Sequence, residues 1–430
     1  MADEKKKGFG PWLPLTILIG FGFFTMGLMD PLYDTYLPVF LGQYIESNAL
    51  IGTVMTLDNV FALFLIPVVS VWSDRIRTPI GRRKPFILTL LPLSAVFFGL
   101  LPYAAGVSLA ALVILVFFLN LAKQAARGPV VALMPDTVPG EYRSEANGVI
   151  NMMSGIASIV GLVGLARLMD VDVTLPLLGA TKDRLPFPIA SLLVALATVL
   201  VALLVKERSS AETAAEERPK LFESLRKVGE GKDKSAVLIL VALFLWFLGY
   251  QGVLPFVGRY GIEVLGLSKG VAGLSAGAVG IAYALFAVPS GYVAHRLGRK
   301  RTIRIALVVL TLLAAALVVH GFTGFGLAGM ARVYVFWAIL FVFGAFWVTV
   351  VTNSFPMLWQ MASWGTMGVY TGLYYLFSQT AAIASPPVTG GIIDLFGYPG
   401  IFAWCALCMA AAFVVMGFVK KGEPAAAAAK

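Results

Sequence analysis

Along the chain, long apolar runs alternate with short polar or basic interruptions. A helix rising 1.5 Å per residue needs about twenty mostly apolar residues to cross a bilayer. On that template the sequence predicts twelve spans, at residues 12–43, 49–73, 85–105, 109–134, 145–169, 186–206, 235–262, 270–294, 302–322, 331–357, 365–393 and 398–419. The third and fourth are separated only by a short turn at Gly106. The expected fold class is all-α integral membrane, with twelve transmembrane helices in two pseudo-symmetric groups of six. The expected organisation is an N-terminal six-helix bundle at 1–205, a cytoplasmic linker at 206–234, a C-terminal six-helix bundle at 235–420 and a disordered tail at 421–430. Within the linker, Leu221, Phe222, Leu225 and Val228 share one helical face beside Arg226 and Lys227. That pattern suits an amphipathic helix at the membrane surface, and a solvated linker fits it equally well.

Composition narrows the function. Of 430 residues, 59% are hydrophobic and 13% charged. A soluble domain has roughly 45–50% and about 25%, so a cytosolic enzyme, a disordered chain and a small secreted domain are excluded. The net charge of +10 comes from clusters between the spans, which points to membrane topology and away from nucleic acid. Lys5–Lys7, Arg75 to Lys84, Arg143, the 206–234 segment, Arg296 to Arg304 and Lys420–Lys421 fall on one side, and Lys182, Arg184 and Lys269 on the other. Both termini are therefore expected in the cytoplasm, and the expected location is a bacterial cytoplasmic (inner) membrane. The apolar run after Lys7 is too long for a signal peptide and reads as a retained first span. Cys405 and Cys408, three apart in an apolar run, read as small apolar helix residues. Two histidines, His295 and His320, are too few for a metal site, and no phosphate-binding G-x-x-x-x-G-K-[ST] segment occurs. No enzyme chemistry, resident metal or cofactor is expected, and the chain is expected to be a monomer.

The halves repeat one another. After the second span comes Asp74-Arg-Ile-Arg-Thr-Pro-Ile-Gly81-Arg82-Arg83-Lys84, and after the eighth His295-Arg296-Leu-Gly298-Arg299-Lys300-Arg301. Each is read as a tight turn made by a glycine and held on the cytoplasmic side by its bases. These paired loops resemble the signature of the major facilitator superfamily. The stretch from Asp74 to Phe86 is similar to the sucrose-transporter and glycoside–pentoside–hexuronide symporter branch. So are Asn120 to Pro129 with Ala132 to Asp136, and Gly368 to Gln379 ending in Pro386 to Gly391. The resemblance implies gating roles for Asp74, Gly81, Arg82, Arg83, Asp136, Arg143, Arg296, Gly298 and Arg299. It also implies a central cavity lined by the first, fourth, seventh and tenth spans. Two departures stand out. Sucrose carriers have an acid in the fourth span where this chain has Asn120, and the paired acids of melibiose-type cation sites align with apolar positions near Ala62 and Ile66.

A charge at mid-bilayer costs at least about 2.5–3.5 kcal/mol, so an intramembrane ionisable residue marks a functional site by default. Asp30 and Asp34 lie i, i+4 in the first span, with Tyr33 and Tyr36 beside them and Pro31 and Pro38 loosening the backbone. Asp58, next to Asn59, lies nine residues into the second span. Lys123 and Arg127 lie i, i+4 in the fourth, beside Gln124. These acids and bases are expected to face one another, because pairing lets charges survive in low dielectric. A static ion-pair network that fastens helices is the plainer alternative. The later spans add Tyr250 and Gln251, Trp347 and Asn353, and Tyr374, Tyr375 and Gln379. Aromatic rings suit the apolar face of a sugar and amides its hydroxyls.

The resulting expectation is a secondary active transporter moving a sugar or glycoside by alternating access, coupled to H⁺ or Na⁺. Asp58 leads as the coupling-ion residue, with Asp30 next and Asp34 as a further candidate. Lys123 and Arg127 leave a second substrate class open, an organic anion such as a hexuronide carried by an exchanger or exporter. The expected partners are a small-molecule substrate and the lipid bilayer.

Overall fold

The computed structural model describes residues 9–139, 142–176, 178–207, 234–361 and 367–422. Lys5–Lys7, the amphipathic pattern at Leu221 to Val228 and most of the expected tail fall outside them. The helices are α1 (Leu13–Leu41), α2 (Asn48–Met55), α3 (Leu57–Arg75), α4 (Lys84–Ala105), α5 (Leu109–Thr137), α6 (Arg143–Ile159), α7 (Pro186–Leu204), α8 (Ser235–Glu263), α9 (Lys269–Leu297), α10 (Arg299–Thr323), α11 (Gly329–Trp359), α12 (Met367–Phe396) and α13 (Gly400–Gly417). Among the described residues, eleven helical segments are long and apolar enough to cross a membrane. The expected eleventh span, α12, is 30 residues long but interleaves Tyr374, Tyr375, Ser378, Gln379 and Thr380 with its apolar residues. The all-helical membrane fold is thus as the sequence predicts.

Local chemistry sets the ends. Ser47 and Ser108 cap α2 and α5 by accepting the Leu50 and Ala111 amides at 3.4 and 3.1 Å. Prolines occupy the first turns of α4 and α7, where an amide hydrogen has no helical partner. Helix surfaces left exposed are strongly apolar: Phe64, Val68 and Trp72 on α3 and Leu203 on α7 are all more than half exposed. A lipid environment is what such patches require.

Three local features differ from the sequence expectation. The second span is broken at Thr56, whose hydroxyl donates back to the Thr53 carbonyl at 2.8 Å. A hydroxyl competing with the helical ladder loosens it there, so Asp58 sits in the first turn of α3 and not within one continuous helix. The fifth span is α-helical only to Ile159. It continues as a π turn at Val160–Gly164 and a 3-10 turn at Leu165–Asp170, where Gly161 and Gly164 weaken the regular helix. Between α6 and α7 lies an exposed hairpin pairing Thr174 with Ala180 and Leu175 with Gly179.

The described residues fall into two compact units that interleave in sequence. The first contains the residues up to Leu41, those from Leu57 to Glu207, and Lys269–Gly273. The second contains Gly42–Thr56, the residues from Lys234 to Ser268, and those from Leu274 onward. In the first unit α1 packs on α6 and α7, and α4 and α3 pack on α5. Its closing turn is polar: the Asp170 carboxylate accepts the Gly270 amide at 3.1 Å, Asp183 pairs with Lys269 at 2.6 Å, and Tyr36 donates to the Lys269 carbonyl at 3.0 Å. In the second unit α8 packs on α12 and α13, α10 on α11 and α13, and α2 on α12. Here the Asp394 carboxylate, in the last turn of α12, receives the first amides of α2. Asn48 N donates to it at 2.8 Å and Ala49 N at 3.1 Å, and the Ser47 hydroxyl and Asn48 side-chain amide each donate at 2.8 Å. Arg259 donates to Asn48 Oδ1 at 2.8 Å.

Candidate functional site

Two helices of the first unit carry facing sets of buried and half-buried polar residues. Asn120, Lys123, Gln124 and Arg127 follow i, i+3, i+4, i+7 on α5 and so form one stripe. On α1, Asp30, Tyr33 and Asp34 form the facing set. Lys123 Nζ lies 2.8 Å from Asp30 Oδ1, and Arg127 Nη1 lies 3.4 Å from Asp30 Oδ2. One carboxylate is thus shared by two cations. The cations differ in access, since the Lys123 side chain is 3% exposed and that of Arg127 41%. Lys123 also stands over the Tyr33 ring, 4.5 Å from its centroid. The Tyr33 hydroxyl in turn accepts from Asn120 Nδ2 at 2.8 Å. Cation, ring and amide therefore hold one another in fixed positions.

Asp58 and Asp34, in the same unit, have no ion pair among the described residues. Asp58 Oδ1 accepts the adjacent Asn59 amide, at 2.7 Å. Asp34 has no hydrogen bond or ion pair among the described residues. Asp30, Asp34 and Asp58 lie close enough to repel one another, and Lys123 and Arg127 attract all three. Among the described residues of this cluster, three acids stand against two bases. Asn120 Oδ1 and Gln124 Oε1 are buried acceptors with no hydrogen-bond donor among the described residues. A buried acceptor left unmet costs about 1–3 kcal/mol.

The second unit brings together the aromatic candidates. Tyr250 on α8 stacks on Trp347 on α11, centroids 4.0 Å apart and planes 14° apart. Phe247 stands edge-on to Trp347 and Tyr374, and the Tyr374 hydroxyl is 3.3 Å from Ser354 Oγ. The other candidates are dispersed. Asn353 spends its amide on the Thr349 carbonyl of its own helix at 2.8 Å. Tyr375 is 56% exposed, Gln251 is half-buried, and Gln379 Oε1 is buried without a donor among the described residues.

The two glycine loops differ in chemistry. Gly81 has φ +116° and Gly298 φ +89°, a backbone region open to glycine and strained for other residues. Around Gly81 a dense network forms. Arg82 and Arg83 grip Asp136 at 2.7 and 2.8 Å, and Arg83 also pairs with Asp74. Its centre is Glu207, which accepts the amides of Arg82 and Arg83 at 3.0 Å and that of Lys84 at 3.4 Å. The sequence reading missed Glu207, placing it in the linker. The one available signal was an acid directly after the sixth span, among basic neighbours. The Gly298 loop has no acid among its described partners: Arg299 donates to the Pro356 carbonyl at 3.4 Å and Arg296 is exposed. The Arg143 side chain lies outside the described set. His320 is buried between the Tyr260 hydroxyl at 3.4 Å and the Arg332 carbonyl at 3.0 Å. Cys405 and Cys408 are buried free thiols.

Comparison with known proteins decides the family, since residues 19–386 match the Major Facilitator Superfamily. The chain belongs to that superfamily. It is an integral membrane transporter, not an enzyme. Sucrose transport protein SUC3 of Arabidopsis thaliana is 28% identical over 135 residues, covering 27% of this chain and 23% of that protein. A general alpha-glucoside permease of Schizosaccharomyces pombe is 22% identical over 212 residues, covering 45% and 38%. These matches thus span less than half of either curated relative. The crystal structure of the nucleoside transporter NupG shares the fold, with a TM-score of 0.71 at 15% identity over 94% of this chain and 100% of that one.

Proposed function

We propose that this superfamily member is a sugar or glycoside symporter that works by alternating access and couples to H⁺ or Na⁺ through Asp34 and Asp58. The observation that carries the reading is the uneven charge balance in the first unit. Asp30 is neutralised by Lys123 and Arg127, while Asp34 and Asp58 form no ion pair among the described residues. A carboxylate in a poorly solvated site, near both like and opposite charges, is poised to take up and release a proton or small cation. This replaces Asp30 by Asp34 beside Asp58 as the expected coupling group. The unmet acceptors of Asn120 and Gln124 suit a hydroxyl-rich substrate, because each hydroxyl brings a donor. The sucrose and alpha-glucoside carriers among the relatives point to the same class.

The test is paired uptake and exchange in proteoliposomes, with sucrose and an α-glucoside such as maltose. Wild type should concentrate substrate when a proton or sodium gradient is imposed. Asp34→Asn and Asp58→Asn should lose that accumulation and keep exchange at equal concentrations, since the pocket survives. If both variants still concentrate substrate, the carboxylates are structural. If wild type answers neither gradient, the protein is a uniporter or exchanger. An organic anion is the second reading, favoured by the 41% exposed Arg127 and its longer contact to Asp30. Glucuronide uptake lost in Arg127→Gln, with no sugar transport by wild type, would establish it.

A further inference from the structure

From Val264 to Ile393 the sequence holds no Asp or Glu. In the same stretch, five basic residues fall between Arg296 and Arg304, and Lys420 and Lys421 follow α13. This end of the second unit is therefore basic without a carboxylate among the described residues. Charge of that density near a membrane attracts acidic groups.

One place there is shaped to receive it. A cleft of about 440 Å³ between α10 and α13 is lined by Lys300, Arg301, Arg304, Ile305, Val308 and Phe413. Lys300 Nζ is spent on the last carbonyls of α13 and beyond, Gly417 O at 3.1 Å and Val419 O at 2.5 Å. Arg304 Cζ stands over the Phe413 ring, 4.6 Å from its centroid, and its buried Nε has no hydrogen-bond partner among the described residues. Arg301 is exposed and forms no ion pair among the described residues. Arg301, Arg304, Ile305 and Val308 follow i, i+3, i+4, i+7 and share one helix face. The face begins with guanidinium groups and ends, about 10 Å further along at 1.5 Å per residue, with Ile305 and Val308, 44% and 39% exposed. Charge first and exposed hydrocarbon next is the order of a lipid, headgroup then chain.

We propose that the α10–α13 cleft binds the phosphate of an anionic membrane lipid between Arg301 and Arg304, with an acyl chain along Ile305, Val308 and Phe413. Guanidinium groups suit this role because their planar forks match phosphate oxygens. Basic clefts between membrane helices are suited to acidic headgroups.

The experiment is native mass spectrometry of the purified full chain, titrated with phosphatidylglycerol or phosphatidylcholine, with thermal midpoints measured in parallel. Wild type should retain phosphatidylglycerol in preference to phosphatidylcholine. Arg301→Gln/Arg304→Gln should weaken that retention by about thirtyfold, the effect expected of two interfacial bases. Ile305→Ser keeps both guanidinium groups and should weaken it less, through the lost chain contact. Should the double variant not fold, Arg301→Gln, an exposed position, reads the same effect at about fivefold. Unchanged retention in the Arg variants overturns the proposal. So does equal stabilisation by soluble glycerol phosphate, which would mark a site for free phosphate. Lipid retention that rises only when the acids of the 208–233 segment or Glu423 are neutralised would mean that the chain's own carboxylates occupy the cleft, and overturns it too.

Discussion

At the scale of single residues, the decisive group is Asp30, because two cations share it and its loss strands both. A buried charge left unpaired costs about 3–5 kcal/mol, and an exposed one far less. The three neutralising variants should therefore rank by what they leave behind. Asp30→Asn should be the most destabilising, at about 3–5 kcal/mol. Lys123→Gln should cost less, because Arg127 still meets Asp30. Arg127→Gln should fall below about 1 kcal/mol, its side chain being 41% exposed. Asp30→Asn/Lys123→Gln should recover most of the loss of Asp30→Asn alone. Thermal midpoints of the four proteins check the order, and a double variant no better than Asp30→Asn would show that the pair is not one of mutual neutralisation.

At the scale of elements, the turn before α4 shows how a helix start is specified from far away in sequence. Glu207 places a carboxylate against the first free amides of α4, where the helix dipole favours negative charge. Gly81 supplies the backbone conformation that aims those amides at it. Gly81→Ala should cost about 1–3 kcal/mol, from strain at positive φ together with crowding of Glu207. Gly148→Ala, in an open position on α6, should be neutral or stabilising by up to about 1 kcal/mol. The pair of thermal midpoints separates backbone strain from a general intolerance of glycine replacement. The same loop shows what is legible in a sequence. Twelve apolar runs and two glycine turns are readable because hydropathy and positive φ are local properties. The stripe from Asn120 to Arg127 is readable because charges in an apolar run stand out. Glu207 and Asp394 are not, because their roles are set by amides more than a hundred residues away. Thr56 and the π turn after Ile159 escape for another reason: a single hydroxyl or two glycines shift the balance between helix types by too little to leave a pattern.

At the scale of the whole molecule, the basic clusters predict a topology that labelling can test. Single cysteines replacing Lys420 and the linker residue Lys220 should react with a membrane-impermeant maleimide from one side, and those replacing Lys182 and Lys269 from the other. Cys405 and Cys408 are buried and should give little background. Reaction of the 182 and 220 positions from the same side would break the twelve-span topology. The cap of α2 adds a dimension of time. Asp394 is made 346 residues after Asn48, and at about 5–20 residues per second roughly 17–70 s pass between the two. Throughout that interval the first amides of α2 must be satisfied by water or by a temporary partner. The start of α2 is thus among the earliest segments to leave the ribosome and among the last to reach its final bonding, and a chain halted before α12 would carry it unfinished.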